Sequence, residues 1–242
     1  MKKNCLLCFL LFFSCHSALA GESLDSLLNV LDKTIKEADT YVQIKENKLH
    51  ELKKEARKTP PFSVERYNLN NDIYLEYKAY SSDSALHYLN ENMLLARQLN
   101  DKERELKIQL ELSYLLSSIG MYMEAADILN SIDRQTLPSS LLGHYYTCYE
   151  HVYFEAGAAQ PRYKMFASRY VKLSHAYRDS MQITLDPSSA TYLWLRETQL
   201  REAGKYDEAL EFSDRRLAES SFGTPQYALV AYQRFRLLES MG

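Results

Sequence analysis

The chain has 242 residues, with 29 lysines and arginines against 32 aspartates and glutamates, and a formal net charge of −3. Because both signs of charge are interspersed, no basic surface for nucleic acid is indicated, and we expect no direct binding of DNA or RNA. Only 7 glycines and 6 prolines occur and no long segment alternates with period two, so the predicted fold class is all-α.

Residues 1–20 are predicted to be a secretory signal peptide. Two lysines precede an apolar run from Cys5 to Phe13, and Ala18-Leu19-Ala20 forms a small-x-small cleavage site. The run has about ten residues, whereas a membrane-spanning helix needs about 20. We therefore expect an exported, periplasmic protein cleaved after Ala20. Processing as a lipoprotein at Cys15 is the alternative.

Three of the four cysteines lie in this leader, so the exported chain would keep only Cys148 and could form no internal disulfide. We interpret Cys148 as a small core residue rather than a reactive nucleophile.

Residues 21–61 predict one long helix that ends at a Pro-Pro break. Apolar residues recur every three or four positions from Leu24 to Ala56, which is the heptad spacing of a helix with a narrow seam. The helix is predicted at 24–57, because Pro60-Pro61 removes backbone donors. A dimerising coiled coil, and hence a homodimer, is one interpretation. A leader helix packing on the first repeat is the other, which the alanines and Lys45 in the seam favour.

Residues 62–242 predict tetratricopeptide-like repeats, about four helix pairs plus an incomplete last one. Leu116 to Ala125 and Leu200 to Ala209 both read L-x-x-x-G-x-Y-x-E-A, in which the glycine ends a first helix. A weaker copy ends a first helix at Gly157. The predicted pairs are 63–80 with 83–99, 102–119 with 122–132, 139–156 with 161–182, and 188–203 with 206–220, followed by a first helix from about 224.

The last predicted helix closes on Leu238 to Gly242, which repeats the L-x-x-x-G ending without a second helix after it. Since a repeat array needs a terminal unit with a polar outer face, we expect the chain to be a fragment or a truncated reading of a longer protein.

The leader, the segments Ser23 to Lys33 and Tyr80 to Leu89, and the stretch Gly120 to Asp133 resemble one family. They are similar to the N-terminal half of the tetratricopeptide-containing regulatory proteins of Bacteroides and other Bacteroidota, whose C-terminal part is a domain of unknown function. In that family, periplasmic repeats are followed by more repeats, a transmembrane helix, a cytoplasmic coiled coil and a helix-turn-helix.

The resemblance implies a ligand- or protein-binding periplasmic sensor segment of a membrane-spanning transcriptional regulator. The full-length protein would be anchored in the inner membrane through the missing C-terminal part. The alternative is a self-contained periplasmic adapter or scaffold. Either way, the expected fold is a helical-hairpin repeat solenoid preceded by a long N-terminal helix.

Motifs for catalysis are missing from the sequence. It contains no zinc-protease spacing, phosphate-binding loop or nucleophile elbow, so we expect no enzyme, no cofactor and no metal. His144 and His151 would share one helix side with Glu155, where a hydrogen-bonded histidine pair is favoured over a metal site. Charge runs such as Asp214-Arg215-Arg216 are interpreted as solvated helix faces.

The predicted partner is a peptide or protein bound along the concave face, which first helices line in such arrays. If the glycines mark equivalent turns, residues six and ten positions earlier point toward the partner, and Tyr, Trp and Arg dominate interface energetics. The candidates are Leu110, Tyr114, Thr147, His151, Trp194, Thr198, Arg201, Tyr232 and Arg236. Packing between repeats is the alternative role for each of them, and contact with the partner is favoured most for Trp194.

Overall fold

The computed structural model describes residues 32–33, 35–159, 162–222 and 224–241. Throughout these ranges the chain forms helices and no strand, which confirms the all-α class. The helices are α1 Ala38–Lys58, α2 Val64–Tyr77, α3 Ser82–Gln98, α4 Lys102–Ser118, α5 Tyr122–Ser131, α6 Ser139–Ala158, α7 Lys164–Thr184, α8 Ala190–Glu202, α9 Tyr206–Glu219 and α10 Pro225–Met241, with a 3-10 turn at Arg134–Thr136. The predicted signal peptide, the predicted start of the long helix and Gly242 lie outside the described residues.

The helix α1 ends where the sequence predicts, before the two prolines. The backbone N–H and the hydroxyl of Thr59 both donate to the carbonyl oxygen of Ala56, at 3.2 and 2.8 Å. A boundary between two units of the chain falls inside α1, between Lys54 and Glu55. Ile35 and Val42 of the predicted seam are exposed, and the choice between coiled coil and leader helix stays a prediction.

The other helices form hairpins in chain order. The first helices α2, α4, α6 and α8 pack on the second helices α3, α5, α7 and α9 that follow them, and α10 packs on α9. Each predicted helix lies within a few residues of an observed one. The fold is therefore a tetratricopeptide-like helical-hairpin solenoid preceded by a helix.

Helix ends follow local side-chain chemistry. Asp101 starts α4 by accepting the backbone N–H of Arg104 at 2.9 Å, and Ser189 starts α8 by accepting that of Tyr192 at 3.2 Å. At the other end, Gly120 and Gly204 adopt φ of 90° and 73°, which is the left-handed conformation that closes α4 and α8. The predicted glycine turns are confirmed at these two positions.

Gly157 does not mark a third turn of this kind, and that prediction is wrong. The helix α6 continues through Gly157 to Ala158. A Cβ built on Gly157 would lie 3.4 Å from the Cβ of Tyr170, so the glycine lies where α6 and α7 approach closely.

The main apolar core runs through α4, α5 and α6. It includes Leu110, Leu129 and Cys148, all 0% exposed, and the thiol of Cys148 lies 3.4 Å from the carbonyl oxygen of Leu110. Cys148 is thus the core residue that the sequence predicts. Around Tyr149 and Tyr177, whose rings stack at 4.6 Å, further tyrosines of α6 and α7 contact one another.

Two buried ion pairs hold the later hairpins. Arg178 of α7 donates from Nε to Glu150 of α6 at 2.8 Å, and Arg216 of α9 donates to Glu197 of α8. We call these pairs the Glu-Arg clamps. The prediction that the charge run ending at Arg216 is solvated is wrong for this residue, which is 6% exposed because Glu197 neutralises it inside the hairpin.

Candidate functional site

Side chains from three successive first helices meet in a part-exposed network. The network, called the polar strip below, consists of Tyr74, Lys78, Glu111, Tyr114, Ser118, His144 and His151. Glu111 of α4 is its centre, because Oε2 accepts from the Tyr74 hydroxyl at 2.6 Å and from Lys78 Nζ at 3.0 Å. Its other oxygen lies 3.7 Å from Nε2 of His144 on α6.

The second half of the strip is a stacked ring pair. The rings of Tyr114 and His151 lie 4.0 Å apart at an interplanar angle of 10°. Nε2 of His151 is 2.9 Å from the hydroxyl of Ser118, and Lys78 Nζ lies 4.5 Å from the Tyr114 ring centroid. These contacts fix the two rings in one orientation, so the surface that they present is pre-organised.

Burial sets the protonation of the strip. It lowers the pKa of His151 to about 4, with Lys78 adding to the shift, and it also lowers the pKa of His144. Burial opposes ionisation of Glu111, but the charge of Lys78 and the hydrogen bond from Tyr74 lower the pKa of that carboxyl overall. At neutral pH the strip therefore carries one compensated ion pair and two neutral imidazoles.

The neutral imidazoles could in principle hold a metal. In the part of the chain that the structure describes, however, no three His, Cys, Asp or Glu side chains converge on a point where one ion could bind. His151 instead contacts Ser118 and Tyr114, and His144 contacts Glu111.

Two predicted groove residues, Tyr114 and His151, come together in the strip. Thr147 is on the same helix as His151 and donates its hydroxyl to the Gly143 carbonyl at 2.8 Å. Leu110 is 0% exposed and Thr198 is 6% exposed, so both side chains lie in the interior rather than on a surface. Tyr114, Thr147 and His151 are half-buried, and a contact of any of them with a partner stays a prediction.

The remaining candidates lie on α8 and α10. Trp194 and Arg201 are half-buried, whereas Tyr232 and Arg236 are exposed, and Arg236 contacts Glu239 at 3.5 Å. Among the described residues, no hydrogen bond, ion pair or ring contact joins these four side chains to the strip.

The sequence matches the family described as SusR N-terminal TPR domain over residues 35–242, which is most of the chain. The chain belongs to this family. The match confirms the resemblance to the N-terminal half of SusR-type regulators, and it agrees with the hairpin solenoid. No curated protein and no solved structure matches the chain.

As a SusR N-terminal TPR domain, the chain has a fold that generally mediates protein-protein contacts. None of the helices in the described ranges combines the length and the apolar character that crossing a membrane requires.

Sequence reasoning missed Lys78 and Glu111, which are 33 residues apart and show no spacing signal. It also missed the Glu-Arg clamps, although a signal was present. Glu150 to Gly157 and Glu197 to Gly204 both read E-x-x-x-x-E-A-G, and the first glutamate of each copy is the clamp residue.

Proposed function

We propose that this chain is the exported sensor segment of a membrane-spanning regulator and that it binds a peptide or a partner protein along its first helices. The polar strip is the observation that carries the proposal. It is built from three helices, its rings are fixed by hydrogen bonds and stacking, and it keeps part of its surface open. The family match supports the regulator context.

The strip suits recognition because its rings are already held in one conformation in the folded chain, so little conformational entropy is lost on binding. Rings that are held before binding lose little rotamer freedom on contact, and Tyr is among the residue types that dominate interface energetics. Lys78 and Glu111 neutralise each other, so the strip presents aromatic and hydrogen-bonding groups without a large desolvation penalty.

A photo-crosslinking amino acid at exposed Ser118 tests the site in cells of the source bacterium. We expect a discrete adduct from this position and none from Glu124, an exposed residue of the second helix α5. Equal adduct patterns from the two positions, or none from either, would argue against a partner on the first helices.

Trp194 offers a second test on α8. Because its side chain is half-buried, we expect Trp194→Ala to weaken partner binding while helical circular dichroism stays near wild type. A large loss of helicity would instead assign Trp194 to the core, where truncation of a buried aromatic residue costs about 3–5 kcal/mol.

A self-contained periplasmic adapter, lipidated at Cys15, is the second candidate. Radioactive palmitate labelling separates it from the sensor segment, since cleavage after Ala20 would remove that cysteine. The reading frame beyond residue 242 gives an independent test, because only the regulator would encode a membrane helix and a cytoplasmic domain there.

A further inference from the structure

Two glutamates occupy the same position of the repeat and have different surroundings. Glu155 and Glu202 each stand two residues before the glycine of the E-x-x-x-x-E-A-G sequence. Glu202 forms an ion pair with a cation of the preceding second helix, since Nη1 of Arg178 donates to its two oxygens at 2.8 and 3.0 Å. His175 of the same helix lies 3.8 Å from Glu202. In this copy of the repeat, the glutamate two residues before the glycine therefore binds a guanidinium group.

At Glu155 the corresponding cation is missing. The second helix that precedes α6 is α5, whose sequence YMEAADILNS contains neither lysine nor arginine. Within the described residues, the nearest basic atom is Nδ1 of His151 at 4.0 Å, and no lysine or arginine pairs with Glu155. Its side chain is 35% exposed, so the carboxylate is accessible from outside.

Electrostatics disfavours an isolated carboxylate at this point. Glu155 lies in the last turn of α6, where the helix dipole is negative and where the helix has no basic residue. Burial, followed by the charge of Glu150, raises the pKa of the Glu155 carboxyl. His151 stays neutral beside it, because its own pKa is about 4. A cation supplied from outside would offset the unfavourable charge of the helix C-terminus and that of Glu150.

We propose that Glu155 receives a cationic side chain, arginine or lysine, from the bound partner. The inference rests on the proposed function, since the cation must belong to a partner at the first helices. The chain shows the same chemistry internally, where Lys78 bonds to Glu111 and lies over the Tyr114 ring. His151, which stacks on Tyr114, is one turn from Glu155 and extends the aromatic surface to it.

The test begins with small probes on the intact chain labelled with ¹³C at glutamate carboxyls. N-acetyl-arginine amide should shift the Glu155 carboxyl resonance with saturation in the millimolar range, whereas N-acetyl-citrulline amide, which has the same shape without the charge, should not. N-acetyl-lysine amide tells whether the site prefers a guanidinium or an ammonium. Equal shifts from the arginine and citrulline probes, or no shift, would overturn the inference.

Peptides selected from a random displayed library then test the same site with a larger ligand. Peptides that bind at the strip should carry a basic residue, and replacing that arginine by citrulline should weaken binding at least about fivefold. Glu155→Gln should remove this difference. Glu208→Gln, which breaks the exposed Lys205 pair on α9, is the matched control and should preserve it.

The two proposals can fail separately. Peptides that bind at the strip but tolerate citrulline would overturn the cation site and leave the proposed function standing. Peptides whose binding is unaffected by Trp194→Ala and by crosslinker placement at Ser118 would count against the proposed function itself.

Discussion

Glu155 and Glu202 show how one residue type in one repeat position can have opposite effects on stability. We expect Glu155→Gln to raise the free energy of unfolding by a few tenths of a kcal/mol, because it removes a charge at a helix C-terminus that solvent only partly screens. Glu202→Gln should lower it by about 1–2 kcal/mol, since Arg178 loses a charged acceptor. Urea unfolding of both variants gives the comparison.

The pH dependence of the Glu155 effect has a definite sign. The pKa of this carboxyl is higher in the folded chain than in the unfolded chain. The ionised carboxylate therefore destabilises the folded chain as pH rises through these two pKa values, and this destabilisation is absent at lower pH. The gain from Glu155→Gln should therefore be present at pH 7 and vanish in acid. A gain of the same size at low pH would mean that the substitution acts through packing instead.

His151 has the opposite effect to Glu155, because its lowered pKa makes the folded chain less stable in acid. Its folded-state pKa of about 4 lies below the ordinary histidine pKa of 6.5, so the unfolded chain binds a proton that the folded chain excludes as pH falls from 6.5 to about 4. At about 1.4 kcal/mol per pH unit, stability should fall by about 2 kcal/mol between pH 7 and pH 5. His151→Phe keeps a ring against Tyr114 and should remove most of that loss in urea titrations at pH 7 and 5. His175→Phe, at a half-exposed histidine, is the control and should leave the loss unchanged.

At the scale of helices, glycines in similar sequence motifs have different structural roles, since Gly120 ends a helix and Gly157 lies within one. Gly120→Ala should cost about 1–2 kcal/mol, because φ of 90° is unfavourable for a residue with a Cβ even though nothing lies within 4 Å. Gly157→Ala should be neutral or stabilising by up to about 1 kcal/mol, since Gly157 is helical and a Cβ would touch Tyr170 at 3.4 Å. Thermal unfolding of the two variants measures the difference. A similar loss in both would mean that α7 cannot tolerate the added methyl group.

The Glu-Arg clamps are the second feature at this scale. Arg178→Ala should destabilise the chain by about 3–5 kcal/mol, because Glu150, 3% exposed, would stay buried without its cation. The double variant Glu150→Leu, Arg178→Met removes both charges and should recover most of that loss. If the double variant is as unstable as the single one, the clamp matters for its geometry rather than for charge compensation.

For the whole molecule, sequence periodicity predicted the order and the approximate bounds of the hairpins because several helix ends have a local cause, such as the left-handed glycines at 120 and 204. It did not predict how a first helix rotates against its neighbours. Tyr114 and Thr198 stand at the same distance from their glycines, yet Tyr114 is half-buried and Thr198 is 6% exposed. The pairing of Lys78 with Glu111 depends on contacts between distant helices, which spacing along the chain does not encode.

In a repeat array, stability is approximately a sum of terms within repeats and terms between neighbours. The Arg178 to Glu202 bond is one neighbour term, since it joins α7 to the next hairpin, and Gln199 donates to Gln182 across the same junction at 3.2 Å. Weakening this junction should let α8 to α10 open before the rest of the chain.

The single tryptophan, Trp194 on α8, reports on that opening. In Glu202→Gln, we expect the urea transition followed by Trp194 fluorescence to precede the transition followed by helical circular dichroism. In Glu208→Gln, which breaks a pair inside α9 and its turn, the two transitions should coincide as in the wild-type chain. Coincident transitions in Glu202→Gln as well would mean that apolar contacts, rather than the Arg178 bond, keep the later hairpins cooperative with the earlier ones.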